Sequence, residues 1–287
     1  MIANSASSIT KAASKQTYYT IRFLVDRERV EDAFRAYGYF RWLDDVLDAE
    51  SGSGSNRRAF VERQKSLLEK CYQGELPRDV NRHEKILVEL VQRDQEKNSG
   101  LEAYLRNMML VMDFDTARRG RLISQAELNE YTRWLATGVT ECLHYFIGHD
   151  SFSPHDESRY LAVSAAHIIH MLRDTFDDLQ LGYYNIPREV LEANHIRPQD
   201  VQNEAYRAWV KSRVQLAREY FNAGHEYFAH VQSWRGRIAG TAYIARFEWL
   251  LDTIVREGYL LRQHYNERRS LGTGLRMSWL ALSAMIS

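Results

Sequence analysis

Proline limits the folds open to this chain more than any other residue: only 4 occur in 287 positions. A proline inside a helix removes a hydrogen bond and clashes with the preceding turn, so its scarcity leaves room for long uninterrupted helices. Apolar residues recur at intervals of three and four, as in Ala33, Phe34, Tyr37 and Phe40 and again in Leu87, Leu90 and Val91. That is the period of an amphipathic helix. The spacing predicts helices over 28–48, 56–72, 82–95, 99–113, 125–148, 157–182, 198–232, 237–263 and 271–284, and no segment carries the period-two alternation of a strand. SGSGSN (51–56), QGELPRD (73–79) and HDSFSPHDE (149–157) hold the Gly, Pro, Ser and Asp that end one helix and begin the next. These stretches separate helices rather than domains, and the expected fold is one all-α bundle packed around a central cavity.

Lys+Arg and Asp+Glu balance at 38 each, which argues against nucleic acid or an anionic membrane as the main partner. Any anion must then be gripped locally. Cys71 and Cys142 match no metal or disulfide spacing and read as small apolar thiols in a reducing compartment. No apolar run at the start suits a signal peptide, and none elsewhere approaches a membrane span, so a cytoplasmic protein is expected. The apolar end, MSWLALSAMIS, is about half a span long and reads as a docked terminal helix or a membrane-touching segment.

The chemistry concentrates in two acidic stretches. In AYGYFRWLDDVLDAE, Asp44 and Asp48 are four apart and lie one turn above each other on a helix, and Arg41 joins their face; Asp45 is expected to point elsewhere. Stacked carboxylates destabilise a helix by a few tenths of a kcal/mol unless a cation sits between them. A solvated acidic helix end is the ordinary meaning of one such pair, but Tyr37, Tyr39, Phe40, Trp42 and Leu43 surround this one with bulk that seldom all faces water. The second stretch, AAHIIHMLRDTFDDLQLGYYNIPRE, repeats the arrangement with Asp174 and Asp178 four apart and Arg173 before them. Magnesium binds through one or two carboxylates plus phosphate oxygens and keeps several waters. Two facing carboxylate turns therefore suit a diphosphate bridged by metal ions, with arginines completing the clamp. If that diphosphate leaves an allylic chain, the cation needs an apolar, aromatic, dry wall.

A carboxylate di-iron bundle rests on the same physics but needs a Glu-x-x-His pair on each of two helices. Only Glu141 with His144 falls on a predicted helix; Glu192 with His195 falls in the irregular stretch after Pro187. His167 and His170 share a face with Asp174, which leaves a transition-metal site of histidine and carboxylate open, although buried imidazoles are the commoner role.

At these residues the sequence resembles the squalene/phytoene synthase family of head-to-head trans-prenyl transferases. The resemblance runs from SKQTYYTIRFL through YGYFRWLDDVLD, YTRWLATGV, LRDTFDD and YNIPREVL to LLDTIVREGY. It implies the all-α isoprenoid synthase bundle, and two prenyl diphosphates, farnesyl or geranylgeranyl, joined through a cyclopropylcarbinyl diphosphate to a squalene-, dehydrosqualene- or phytoene-type product. By position, Asp44 and Asp48 correspond to the first metal-binding motif and Asp174 and Asp178 to the second, with magnesium, or manganese in its place, as the ion. Arg41, Tyr37 and Arg173 would contact diphosphate, and Ser14, Lys15 and Thr17 belong to a flap over residues 1–24 that covers it. The resemblance leaves NADPH use open, since no G-x-G-x-x-G fingerprint occurs and the family does not rely on one. An apolar product implies peripheral membrane contact for its release, and oligomeric state is not readable.

The chain departs from the family mainly around the second motif. Where the family carries Gln and Asn, His167 and His170 stand, and imidazole is a poorer partner for a hard cation. Thr137 and Thr140 replace small residues and narrow the space beside the substrate. Gln180, Leu181 and Tyr183 stand where arginines are common, and Phe247 where a tyrosine is frequent. Three readings follow: head-to-head coupling, ionisation of a single prenyl diphosphate by a cyclase or transferase, and a non-catalytic relative acting in assembly.

Overall fold

The computed structural model describes residues 2–49, 54–75 and 77–265. The helix expected over 271–284 and the apolar segment MSWLALSAMIS lie outside the described residues. Within them the chain is helical, with no strand. The order is α1 (Ile2–Ala13), α2 (Lys15–Leu24), α3 (Val30–Ala49), α4 (Gly54–Tyr72), α5 (Glu84–Arg93) and α6 (Gly100–Arg118). There follow α7 (Gln125–Phe146), α8 (Leu161–Arg173), α9 (Thr175–Leu181), α10 (Arg188–Asn194), α11 (Glu204–Ala229) and α12 (Trp234–Arg256).

The three- and four-residue spacing marks most of these helices, and their ends follow from capping. Asn203 Oδ1 accepts from the amide of Ala205 at 2.8 Å, starting α11 six residues later than the spacing suggests. Ser233 Oγ caps α12 in the same way. α12 stops at Arg256 rather than at 263, because Gly258 and Tyr259 take positive φ values of 62° and 67°. The stretch after Pro187, expected to be irregular, forms α10, and Glu192 on it and His195 at its left-handed cap are both exposed. Residues expected to form only a flap make α1 and α2, and Ala6 and Thr10 of α1 are fully buried.

The largest correction concerns the helix expected over 157–182. It is a short 3-10 turn, then α8, then α9, with a step at Asp174, whose φ and ψ are −93° and 6°. The Thr175 hydroxyl donates to the carbonyls of Met171 at 3.0 Å and Leu172 at 3.1 Å, a back-bonding that bends helices. Asp174 therefore sits at a junction, not in the middle of a rod.

Two compact units divide the chain, one of residues 1–117 with 137–150 and the other of 118–136 with 151–287. In the first, α3 packs against α1, α2 and α5, burying Tyr39, Phe40 and Leu43. Its inner face is tied down by polar bonds. Tyr39 Oη donates to Gln64 Oε1 at 3.0 Å, and Gln64 Nε2 donates to Glu84 Oε1 at 2.8 Å. Arg63 bonds both oxygens of Glu84, at 2.7 and 3.0 Å, and the Asn81 amide adds a fourth donor at 2.9 Å. A buried carboxylate with this many donors is satisfied and rigid. In the second unit, α8 is buried along most of its length between α11 and α12. The approach to α11 is so close that a Cβ on Gly224 would lie 2.7 Å from Ala162 Cβ, which only glycine avoids.

The Arg63 bond, outweighing burial, holds the Glu84 carboxyl down at about 2, below its ordinary 4.5. A depressed carboxyl stabilises the fold above its unfolded pKa, and that contribution disappears as pH falls through the folded value. Urea unfolding of Glu84→Gln is expected to show a loss of about 1–3 kcal/mol at pH 7, shrinking between pH 4.5 and 2. Equal stability at pH 7 would contradict the network's role.

Candidate active site

The outer face of α3 carries Tyr37, Arg41, Asp44 and Asp48. Arg41 Nη1 donates to Asp44 Oδ2 at 3.1 Å, and its Nη2 reaches Asp45. Asp45 is therefore not turned away from the group, as the helical spacing suggests, because the long arginine spans the i+3 and i+4 positions together. The Asp44 carboxyl is pushed above its ordinary pKa, first by burial and then by the negative charge of Asp48. Arg41 offsets part of this, while Asp45 and Asp115 add to it. Asp115, on α6, is a member of this electrostatic group that helical periodicity does not reveal. Its only sequence signal is the DFD triplet at 113–115. Tyr37 is half-buried and its hydroxyl pKa is raised, chiefly by burial, with Arg41 opposing and Asp44 and Asp45 reinforcing.

Also in the first unit, Ser14 caps α2, its Oγ accepting from the Thr17 amide at 3.2 Å and from the Thr17 hydroxyl at 2.8 Å. Lys15 is the first residue of α2 and is exposed. This is the usual local chemistry of a helix start, and it leaves the amide-rich end of α2 beside an exposed cation. On the second half of α7, Thr140 is buried and Thr137 half-buried. Cys71 and Cys142 are free and half-buried, and burial pushes the Cys142 thiol up to about 12.

The second unit gathers His167, His170, Arg173, Asp174 and Asp178. Both oxygens of Asp174 are held by Arg173, through Nε and Nη2 at 2.6 Å each, and His170 Nε2 lies 2.9 Å from Oδ2. Adjacent residues on an intact helix diverge; the step at Asp174 is what lets its neighbour clasp it. Burial alone would raise the Asp174 carboxyl, but the bonds from His170 and Arg173 outweigh it and hold the group well below the usual carboxylate range. Asp178 shows the opposite balance. Burial, with the charge of Asp174 behind it, pushes its carboxyl up to about 6 despite a 2.6 Å hydrogen bond from Asn185.

The two histidines separate in role. His167 is buried, its Nδ1 is 3.2 Å from Thr132 Oγ1, and its ring meets Tyr131 edge-on at 4.9 Å. Burial drives its pKa down to about 3, so it is neutral. His170 is 48% exposed at its side chain and faces Asp174. Phe247 is buried, 6.3 Å from the His170 ring and 5.2 Å from the ring of Tyr243, one turn earlier on α12. Tyr243 thus places a second aromatic ring beside Phe247. Its i, i+4 spacing from Phe247 was a readable signal.

The acidic pair on α3 fits magnesium by the chemistry of its donors. The oxygens are hard, they lie one turn apart, and their mutual repulsion exceeds what Arg41 neutralises. Among the described residues no group of three or more His, Cys, Asp or Glu could cage a metal ion. In the second unit Asp178 is the better placed donor, since Asp174 is already engaged by Arg173 and His170. Among the described residues no helix is long and apolar enough to cross a membrane.

Comparison with known proteins bears on the fold and the family. The squalene/phytoene synthase family model matches residues 10–273, and the chain belongs to that family. It is 26% identical over 201 residues to the presqualene diphosphate synthase of Zymomonas mobilis, a match covering 69% of this chain and 65% of that protein's length. Among solved structures, squalene synthase HpnC from Alicyclobacillus acidocaldarius superposes with a TM-score of 0.73 at 18% identity, over 91% of this chain and 95% of that one. A dehydrosqualene synthase in complex with ligand gives 0.73 at 16% identity, over 99% and 95%. The all-α isoprenoid synthase fold is shared with both.

A carboxyl whose folded pKa is raised stabilises the fold at low pH and loses that contribution as pH rises through the folded value. For Asp178 this window runs from the ordinary 3.8 to about 6. Asp178→Asn is therefore expected to raise the stability of metal-free protein at pH 7.5 by about 1–2 kcal/mol, with little change at pH 4. A destabilised variant at pH 7.5, measured by urea titration, would contradict the strain assigned to this group.

Proposed function

We propose that this chain condenses two prenyl diphosphates, farnesyl or geranylgeranyl, head to head with loss of diphosphate, giving a squalene-, dehydrosqualene- or phytoene-type product. The observation that carries the reading is the state of Asp44. It is a partly buried carboxylate one turn from Asp48, with more negative charge around it than Arg41 offsets, on the helix where the family resemblance sets its first metal-binding motif. Magnesium, when bound there, would supply the positive charge that makes diphosphate a good leaving group. Asp44 and Asp48 hold that charge in place, and Arg41 limits the repulsion between them.

Within the second unit, Asp178 supplies a further oxygen donor. Asp174, His170 and Arg173 form a clasped group in which Arg173 offsets the carboxylate's charge. Phe247 and Tyr243 offer aromatic faces that exclude water and favour a carbocation. A second reading, ionisation of one prenyl diphosphate without coupling, is favoured by the engagement of Asp174, which leaves one carboxylate fewer for metal.

Carbon count separates the readings. Purified protein given farnesyl or geranylgeranyl diphosphate and magnesium, with and without NADPH, is expected to yield products of twice the substrate's carbon number. Asp44→Asn should lower that turnover by about 100-fold, as removal of an electrostatic stabiliser does elsewhere, while circular dichroism stays that of a helical protein. Products of unchanged carbon number would sink coupling in favour of single-chain ionisation. No diphosphate release with any divalent metal would sink both and leave an assembly role.

A further inference from the structure

α9, which bears Asp178, has only seven residues. A helix this short is not rigid by itself, and the step at Asp174 detaches it from the long, buried α8. The direction of the Asp178 carboxylate must be fixed by something other than its helix. Asn185 and Arg118 meet that need, and helical periodicity marks neither of them.

Asn185 is buried, its Nδ2 donates to Asp178 Oδ2 at 2.6 Å, and its Oδ1 accepts from Arg118 Nη1 at 2.8 Å. A side-chain amide can face either way, and its partners decide. A guanidinium only donates, so the amide oxygen must face Arg118 and the amide NH2 must face Asp178. Arg118 is held in turn. It is buried, its guanidinium lying 4.9 Å from the ring centroid of Tyr131 and 4.8 Å from that of Tyr183, with a cation–π attraction on each. The segment that carries it runs beside the one that carries Asn185. Gly120 N donates to Gly182 O at 2.7 Å, Arg119 Nε to Leu181 O at 3.0 Å, and Arg188 N to Ile123 O at 2.8 Å. Position 183, where the family commonly has arginine, is a tyrosine here, and its ring receives a cation from 65 residues earlier in the chain.

We propose that Arg118 and Asn185 are positioning residues: Arg118 fixes the orientation of the Asn185 amide, and the amide holds one oxygen of Asp178 so that the other is presented in a single direction. This rests on the reading of Asp178 as a donor toward the metal–diphosphate group, through which alone the pair acts.

The test is a double-mutant cycle with a structural readout. Asn185→Leu is expected to lower kcat by about 10- to 100-fold, the range typical of groups that orient metal ligands, with KM changed by less than about threefold. In an Asp178→Asn background the same substitution should lower the residual kcat no further. Asn185→Asp keeps the volume and the bond to Arg118 but loses the donor, so it should reproduce the loss even if Asn185→Leu does not fold. An equal loss in both backgrounds, or an undiminished kcat, would overturn the proposal. In crystals of either variant the Asp178 side chain should leave its present rotamer. If wild-type protein shows no prenyl turnover, the functional reading fails by itself, and the rotamer decides the positioning claim: an unmoved Asp178 overturns it.

Discussion

Like charges one helical turn apart, one of them half removed from water, set the terms for this protein. Asp44 and Asp48 would repel, and the helix bearing them would fray at that end, unless its other face were held firmly. That face is held. Tyr39, Phe40 and Leu43 are in the core, and the chain of bonds from Tyr39 through Gln64 to Glu84 and Arg63 anchors α3. A satisfied buried carboxylate on one side lets a strained, partly exposed one persist on the other. The fold thus stores electrostatic strain where a cation can relieve it, which is how functional sites commonly depart from maximal stability.

The second unit handles its acidic pair differently. Asp174 is paired from within by Arg173 and contacted by His170, while Asp178 is left with a raised pKa and an amide donor from Asn185. The step between α8 and α9 makes this division, because it releases Asp174 from the helical geometry that would part it from Arg173. The two motifs look alike in sequence but differ in charge. One consists of carboxylates short of cations; the other pairs one carboxylate with an arginine and leaves its neighbour strained.

Much of this was legible in the residues. Sparse proline and three-four spacing give the helices, and DxxxD with a nearby arginine gives both acidic turns. What the spacing does not carry depends on contacts across sequence distance or on local geometry. The break at Asp174 follows from the Thr175 hydroxyl taking backbone carbonyls, and no period reports that. Arg118 and Asp115 lie far from the motifs they serve, and Asn185, seven residues after Asp178, lies beyond the end of its helix, so helical spacing marks none of them. α10 was obscured by Pro187, which reads as a breaker although it stands at a helix start, where proline is tolerated. Tyr243 is legible in the sequence as the i−4 neighbour of Phe247 on one helix.

The central claim is that the α3 carboxylates are waiting for a divalent cation brought with diphosphate. Thermal unfolding with magnesium and inorganic diphosphate tests it without requiring turnover. Ligand at about 100 times its Kd adds roughly 2.7 kcal/mol to the folded state, so the wild-type Tm should rise by several degrees when both are present. Asp44→Asn combined with Asp48→Asn should abolish that rise and should unfold at a higher temperature than wild type when neither is added. An undiminished rise in the double variant would contradict the account.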